Sequence, residues 1–447
     1  MWSPGFSEEV PKVGEPIAAG DIRADTGVYG VVIYYAPKPR ADTKATAKEL
    51  ARQFLPHAEF SDANLTLKAP YVGFEEEQAP LKNYLVPTAS YFKHAGRGLT
   101  DADIEAFQKT ECATQIVMVV PKADVWSSGR KFTELVLAFA EKTGGYVWDS
   151  ATRECFSREA WKERRLVPWA EEGVTDVSRQ MTIHLYRSSD TTSYLRAVTL
   201  GMEKFALPDV VIEQLIGSDN RPAGNLINFV CQTFAENPIV KDGAKEQFKL
   251  ESLQAEGMRT KMVESLEKGA HRETTLALLN GRRDEGDPEN RLIEISFRHG
   301  SGAAADERRD SVLSYLWGKR DAIVEVKHSD EIKQASARAK KRLVQIRADY
   351  EKGLEPGSRL LVKSPFVRDD EGQEWMWVEV MRWPAGESLD GVLQNDPFYI
   401  RALKAGARVK VKVADIFDFI LYKADGTSEG NETGKLIEQQ GGARKEK

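Results

Sequence analysis

The chain has 447 residues, 41% hydrophobic and 30% charged, the composition of a folded protein too long for one ordinary core, so about two to four domains are expected. Its 63 Lys plus Arg against 69 Asp plus Glu leave a formal charge of −6, which provides no global field for gathering nucleic acid or anionic lipid. No apolar run approaches the roughly 18 residues that span a bilayer, and Met1-Trp2-Ser3-Pro4-Gly5 lacks the basic start and apolar run of a secretory signal. A cytoplasmic protein without a membrane segment is expected.

Cys112, Cys155 and Cys231 are far apart, and none belongs to a Cys-x-x-Cys pair; buried thiols are expected rather than zinc or redox ligands. The histidines, at 57, 94, 184, 271, 299 and 328, never recur at the i, i+4 spacing of a helical metal site. No metal and no cofactor is expected.

In chain order, residues 28–35 form an apolar, β-branched and aromatic run ending at Ala36-Pro37, which predicts a buried strand. A helix over 43–55 follows, with Ala47, Leu50, Ala51 and Phe54 at helical spacing and Pro56 as its stop. Weaker strand signals lie at 65–68 and 84–86, and Thr100-Asp101-Ala102-Asp103 reads as the start of a helix over 104–109. Residues 114–120 predict a second buried strand. Ser127 or Ser128 then caps a helix burying Phe132, Leu135, Val136 and Phe139, the Gly144-Gly145 pair stops it, and 146–148 returns to the sheet.

A second α/β unit begins near 176, with strands at 181–186, 195–200 and 210–215. Its helix carries Leu226, Phe229, Val230, Thr233 and Phe234 on one face, between Asn220-Arg221-Pro222 and Asn237-Pro238. The strand, turn and helix of 116–140 has the layout of 210–235, a hint of an internal repeat that burying one helix face on a sheet also explains. Residues 281–290 are polar and turn-rich, hence an exposed loop; 300–310 is similar, and the linker is expected within 306–328.

Between 332 and 350, apolar residues at 332, 335, 339, 343, 346 and 350 trace one helix seam. Arg338, Lys340, Lys341, Arg342 and Arg347 make its other face basic, a candidate phosphate-binding surface, though Asp349 and Glu351 interrupt it and a solvated charged face is the simpler reading. The period then becomes strand-like: 360–362, 375–380, 391–393 and 408–413 are short strands, separated by turn signals at 370–373, 384–386 and 404–406. A small curved sheet or partial barrel is expected, its edge closed by 416–422, with a frayed tail at 441–447.

These residues carry a resemblance. The helix with Ala337 and Ala339, the run Leu360-Leu361-Val362-Lys363-Ser364-Pro365-Phe366, and Glu374-Trp375-Met376-Trp377-Val378-Glu379-Val380 are followed by Gly391-Val392-Leu393-Gln394-Asn395-Asp396-Pro397 and Asp415-Ile416-Phe417-Asp418-Phe419. In order and spacing they resemble the YegJ-like domain of bacterial proteins of unknown function, over about 329–440, with Phe419 where that family tends to have Trp. Upstream, Thr199-Leu200-Gly201-Met202 with Phe205, Leu207-Pro208-Asp209 and the helix carrying Leu226 and Phe234 resembles segments of related uncharacterised bacterial proteins. The resemblance implies a bacterial accessory protein, sometimes joined to repeat or immunity-type modules, and supplies no reaction.

Three patterns bear on chemistry. Residues 293–297 followed by Arg298-His299-Gly300 are spelled like the start of a histidine phosphatase, but the second His such a site needs has only His328 to supply it, and the chain beyond reads as a β module. The Asp149 and Glu154 carboxylates flank a turn and are available for acid and base roles, although turn and cap chemistry accounts for Asp149, Ser150 and Ser157 more simply. Trp375 and Trp377 share one face of a strand, with Met376 and Val378 on the other; one face packs on the 332–350 helix, the second is core or recognition surface, and Asn395 and Pro397, most simply a turn, are also the candidate rim of a pocket.

The expected architecture is therefore α/β or α+β: a unit over 1–172, a second over 173–305, a linker region at 306–328, a helix-plus-β module over 329–440, and a tail. The expected function is non-catalytic recognition of a protein partner by a binding or immunity-type protein. Its candidate binding residues are Trp375, Trp377 and Asn395, with Arg338, Lys341 and Arg342 as the basic alternative and no catalytic residue assigned. The competing reading is a hydrolase or nucleic-acid-processing enzyme built from dispersed carboxylates and basic residues.

Overall fold

The Val, Ile and Tyr run that begins at residue 28 becomes the middle of a sheet. In the computed structural model, residues 12–36, 38–62, 68–169, 174–187, 194–215, 220–302, 304–318, 330–367, 373–395, 397, 400, 402–425 and 427–436 are described. After β1 (Gly20–Asp21), β2 (Thr26–Tyr35) leads to α1 (Thr43–Phe54), β3 (Glu59–Ser61), β4 (Tyr71–Gln78), α2 (Ala89–Ala95), β5 (Gly96–Arg97) and α3 (Asp101–Phe107). Then come β6 (Cys112–Pro121), α4 (Val125–Thr143), β7 (Tyr146–Asp149), β8 (Glu154–Phe156) and the short α5 (Arg158–Trp161). The strands form a seven-stranded sheet in the order β3-β4-β6-β2-β7-β8-β5. β2 is antiparallel to both neighbours, pairing Tyr35 with Cys112 and Val31 with Asp149.

Alternation sends Val31, Ile33 and Tyr35 to one face, where Phe132, Leu135, Val136 and Phe139 of α4 are buried. Val32 and Tyr34 meet Phe92 of α2, Phe107 of α3 and Cys155 on the other. Gly129 permits the close approach of α4, since a Cβ there would lie 2.3 Å from the Tyr29 hydroxyl. The start of α4 differs from the sequence reading: Asp124 precedes it, and Ser127 donates to the Asp124 carbonyl from within the first turn. Its end agrees, with Gly144 at φ +83°. Thr100 and Asp103 form a full capping box for α3. Residues 84–86 are loop; the strand is β4, whose outer half carries exposed Glu75 and Glu76 and so lacks the apolar signature. The strand signal at 65–68 lies almost wholly outside the described residues.

A second, six-stranded sheet is built from β9 (Thr182–Arg187), β10 (Leu195–Leu200), β11 (Asp209–Leu215), β13 (Glu246–Lys249), β14 (Glu273–Asn280) and β15 (Leu292–Ser296), in the order β13-β14-β15-β11-β10-β9. Its helices are α6 (Asn220–Glu236), α7 (Glu256–Glu264) and α8 (Ala305–Trp317), while β12 (Ile239–Val240) pairs with β1. The similar layouts of 116–140 and 210–235 do not extend to topology. β6 and β7 both flank β2, whereas β11 lies directly beside β15, parallel to it.

The chain divides into two compact units, one of Met1–Leu185, Arg196–Glu213 and Arg221–Lys319, the other of Tyr186–Leu195, Gln214–Asn220 and Arg320–Lys447. Most of both sheets falls in the first, with residues 186–187 of β9, 195 of β10 and 214–215 of β11 in the second. The expected linker at 306–328 is in its first half the helix α8, with Arg309, Val312, Leu313, Leu316 and Trp317 buried and the Trp317 indole donating to the Pro222 carbonyl; 319–329 lie outside the described residues. The charged, alanine-rich start of α8 resembles a spacer only because its buried stripe begins at Arg309.

The physical reason the first unit continues past residue 172 is an ion network. Asp149, at the end of β7, is fully buried and accepts from the Lys204 ammonium at 2.6 Å and from Arg165 Nε at 3.2 Å. Arg165 comes from the π-helical turn Lys162–Leu166 that continues α5, and also donates to Glu154 at 2.6 Å, to the Thr152 hydroxyl and to the Arg179 carbonyl. Arg97 closes on Glu154 from the far side. Burial pushes the Asp149 carboxyl up, but the charges of Lys204 and Arg165 more than offset it and hold it below the ordinary carboxylate range.

The second unit carries α9 (Asp330–Glu351) and β16 (Arg359–Val367), β17 (Gln373–Arg382), β18 (Ser388–Leu393), β19 (Arg408–Lys412), β20 (Asp418–Tyr422) and β21 (Ser428–Gly430). They make an open antiparallel sheet in the order β19-β18-β17-β16-β20-β21. The sheet is open rather than a closed barrel, and β20, expected at the edge, is internal because β21 pairs outside it. The tail at 441–447 lies outside the described residues.

Removing Arg165 leaves two buried carboxylates short of a cation, so Arg165→Met is expected to lower stability by about 3–5 kcal/mol in urea unfolding followed by circular dichroism. A loss within about 0.5 kcal/mol, the ordinary surface value, would mean that water reaches the network.

Candidate functional site

Period two decides the C-terminal sheet. Met376, Val378 and Val380 of β17 face α9, packing with Ala339, Leu343 and Ile346 in one core. Trp375, Trp377 and Glu379 therefore face the opposite way. The register sets Pro365, Lys363 and Leu361 of β16 beside them in that order. Both tryptophans are half-buried. The Trp375 ring lies 4.5 Å from that of Phe417, and the Lys363 ammonium sits 5.6 Å from the centre of the Trp377 ring. Burial lowers the Lys363 pKa, with the Asp418 charge opposing it. Asp418, the β20 residue in register with Lys363, is itself fully buried and accepts from the Thr433 amide and hydroxyl.

The rest of this face is tied internally. Glu379 takes Arg359 bidentately at 3.0 and 2.8 Å, and Arg359 reaches on to Gln394. Asn395 lies one residue beyond the Gln394 amide that donates to the Trp377 carbonyl, and its side-chain oxygen accepts the Trp377 amide at 3.0 Å. It thereby extends the β17 pairing past the end of β18, so the structure brings Asn395 against the backbone of Trp377 rather than leaving it on an open rim. Asp369, Asp370 and the turn signal at 370–372 lie outside the described residues.

The basic face of α9 is separate. Arg338 pairs with Glu432 at 2.9 Å and Arg342 with Glu429 at 2.5 Å, while Lys340 donates to the Ala414 carbonyl. The Arg342 hydrogen bond draws the Glu429 carboxyl below its ordinary value. Lys341 is exposed. Carboxylates from the C-terminal segment thus meet Arg338 and Arg342, two of the five cations of the candidate phosphate-binding surface, a contact about 90 residues away along the chain and invisible to a local reading.

The other sequence candidates resolve into structure. Asp149 and Glu154 do face each other in the β7–β8 register, but both are clasped by Arg165. The neighbouring cavity of about 10 Å³, bounded by Tyr29, Gly30, Asp149, Gln180 and Lys204, has room for one water and no substrate. His299 Nε2 lies 2.6 Å from the Ala244 carbonyl, to which Arg298 also donates, and the Gly300 amide closes a turn onto Phe297. The Arg-His-Gly spelling is therefore a tied turn. Burial pushes the Cys155 and Cys231 thiols up and Cys112 up to about 11, away from reactive thiolates. Among the described residues no cluster of three or more His, Cys, Asp or Glu could hold a metal ion, and no helix is long and apolar enough to cross a membrane.

Residues 327–446 match the family model described as an uncharacterized protein conserved in bacteria, DUF2314. The C-terminal module is a DUF2314 domain. The match extends the 329–440 span of the YegJ-like resemblance by a few residues at each end. No curated protein and no solved structure matches the chain significantly.

One group of titrating residues was missed in the sequence. Asp209, fully buried, accepts from the Thr199 hydroxyl at 2.6 Å and Asn290 at 2.8 Å; burial pushes it up to about 6 against those hydrogen bonds. Burial and the Asp209 charge push Glu203 up to about 7. The folded state thus binds the Glu203 proton more tightly than the unfolded chain, whose ordinary value is 4.5. That stabilisation is complete at pH values below the unfolded pKa and is lost as pH rises through the folded one. Glu203→Gln is expected to melt higher than the parent at about pH 8 and to lose the advantage as the pH falls below the unfolded pKa. A gap that did not change with pH would contradict this account.

Proposed function

We propose that this chain is a non-catalytic, immunity-type accessory protein of the bacterial cytoplasm, whose DUF2314 domain recognises a protein partner. The observation that carries the reading is the Trp377 ring, half-buried on the sheet face away from α9, with the Lys363 ammonium over it. A rigid aromatic beside a partly desolvated cation is the kind of surface from which interface hot spots are made. Trp375 supports the patch through Phe417, and Asn395 fixes the strand that presents it. The paired charges of the α9 face argue against a phosphate backbone as the partner, and the enclosure of Asp149 and Glu154 argues against their use in hydrolysis. A cytoplasmic setting suits three cysteines that remain thiols.

Affinity capture on the intact chain from its native host, quantified by mass spectrometry, tests the assignment. Trp377→Ala, after a check that it melts cooperatively, is expected to lose a captured protein by about 30-fold, the effect of roughly 2 kcal/mol at an interface centre. Arg338→Ala is expected to retain it. Equal capture by parent and Trp377→Ala would move the contact elsewhere, and metal-dependent turnover of nucleotides or nucleic acid by the purified protein would replace the reading with an enzymatic one.

A further inference from the structure

A cleft in the other unit has walls with an unusual property. The Leu278 amide donates to the Gly243 carbonyl and the Leu250 amide to the Arg272 carbonyl, so the even-numbered backbone groups of β14 point toward β13. Alternation turns those of Glu273, Thr275, Ala277 and Leu279 toward β15. The β14–β15 pairing, however, begins only at Ala277 with Ser296. Beyond Ser296 the chain turns away, leaving Glu273 and Thr275 facing a cavity of about 370 Å³ bounded also by His299, Ser301, Ser311 and Tyr315.

We propose that this cleft accepts an extended, uncharged peptide segment, which adds to the open start of β14 as a short strand. Backbone donors and acceptors in a row call for a complementary backbone, and peptide addition to a sheet edge supplies one. The open stretch from Glu273 to Thr275 is about 7 Å long at roughly 3.3 Å per residue and matches about three residues of added strand. A second observation points into the same space. Thr274, 5% exposed, is among the residues that line the cleft.

The walls are fixed in advance. The Ser301 amide donates to the Ser311 hydroxyl at 2.7 Å, His299 is held at Ala244, and Tyr315 stacks on His271 with ring centres 3.9 Å apart and planes within 3°. Such pre-organisation reduces the ordering cost of binding. The one carboxylate of the lining, Glu273, already faces Lys249 at 3.4 Å. The remaining polar groups are hydroxyls, an amide and an imidazole, which is why an uncharged segment fits. This site is independent of the Trp377 surface and does not rest on it.

The probe is a pool of acetylated, amidated hexapeptides of uncharged residues, offered to the intact chain at millimolar concentration and read by affinity-selection mass spectrometry. A subset is expected to be retained, and two substitutions are expected to weaken it tenfold or more. Thr275→Pro removes an amide that faces the cleft and not β13, and Ser311→Tyr fills the space from α8. N-methylating the retained peptides at alternate residues is expected to abolish retention in one of the two registers. If Thr275→Pro does not melt cooperatively, Ser311→Tyr decides. Retention of no peptide, or unchanged affinity in the folded variants, would overturn the proposal.

Discussion

The first unit depends on the burial of Asp149. A carboxylate removed from water loses several kcal/mol of solvation, and the fold answers by converging Lys204, Arg165 and the Thr152 amide on it. Those partners belong to three different stretches of chain, so satisfying one side chain fixes the end of β7, the turn after α5, and the short 3-10 turn Met202–Phe205 before β11. The joint is tight: a Cβ on Gly27 would lie 2.6 Å from the Lys204 carbonyl. Apolar burial alone would permit these elements to slide against one another. A hydrogen-bonded buried charge does not, because each displaced partner leaves a charge unpaired.

The same logic accounts for a loop that composition describes poorly. Residues 281–290 are polar and turn-forming, yet Asp287 within them is buried and accepts from Arg196, which is wholly enclosed and also pairs with Glu213. Here an outwardly hydrophilic segment is pinned by one carboxylate, and Arg153 adds donors to the Gly286 and Asp287 carbonyls. The surface of the loop is solvated while its anchor is interior.

Where one face of an element is buried and the other is not, the sequence was legible. α1, α4, α6 and α9 follow from the period of their apolar residues, β2 and β6 instead from nearly unbroken apolar runs, and the caps at Thr100, Ser157 and Gly144 from local chemistry. Legibility failed where tertiary pairing overrode the local pattern. β4 was hidden by Glu75 to Glu77, although the Glu77 carboxylate serves as an acceptor for the amides of Lys82, Asn83 and Tyr84. Arg165 and Lys204 lie 16 and 55 residues from Asp149, so no local motif could name them as its partners. The two-sided nature of the 375–378 strand was readable, but which face meets α9 is set by register with β16 and β18, which composition does not encode.

That register also determines what kind of surface the DUF2314 domain presents. Lys341 on α9 is exposed, so drawing it into a contact requires its solvation to be replaced, and exposed ion pairs return little. Lys363 differs. Burial lowers its pKa, the Asp418 charge opposes that shift, and the Trp377 ring lies beside the ammonium. Covering the patch removes less water from the ammonium than covering Lys341 does, and the indole beside it is held by strand pairing and by Asn395. In the proposed reading, the preference for the Trp377 face over the α9 face is therefore a difference in desolvation and ordering cost incurred before any partner arrives.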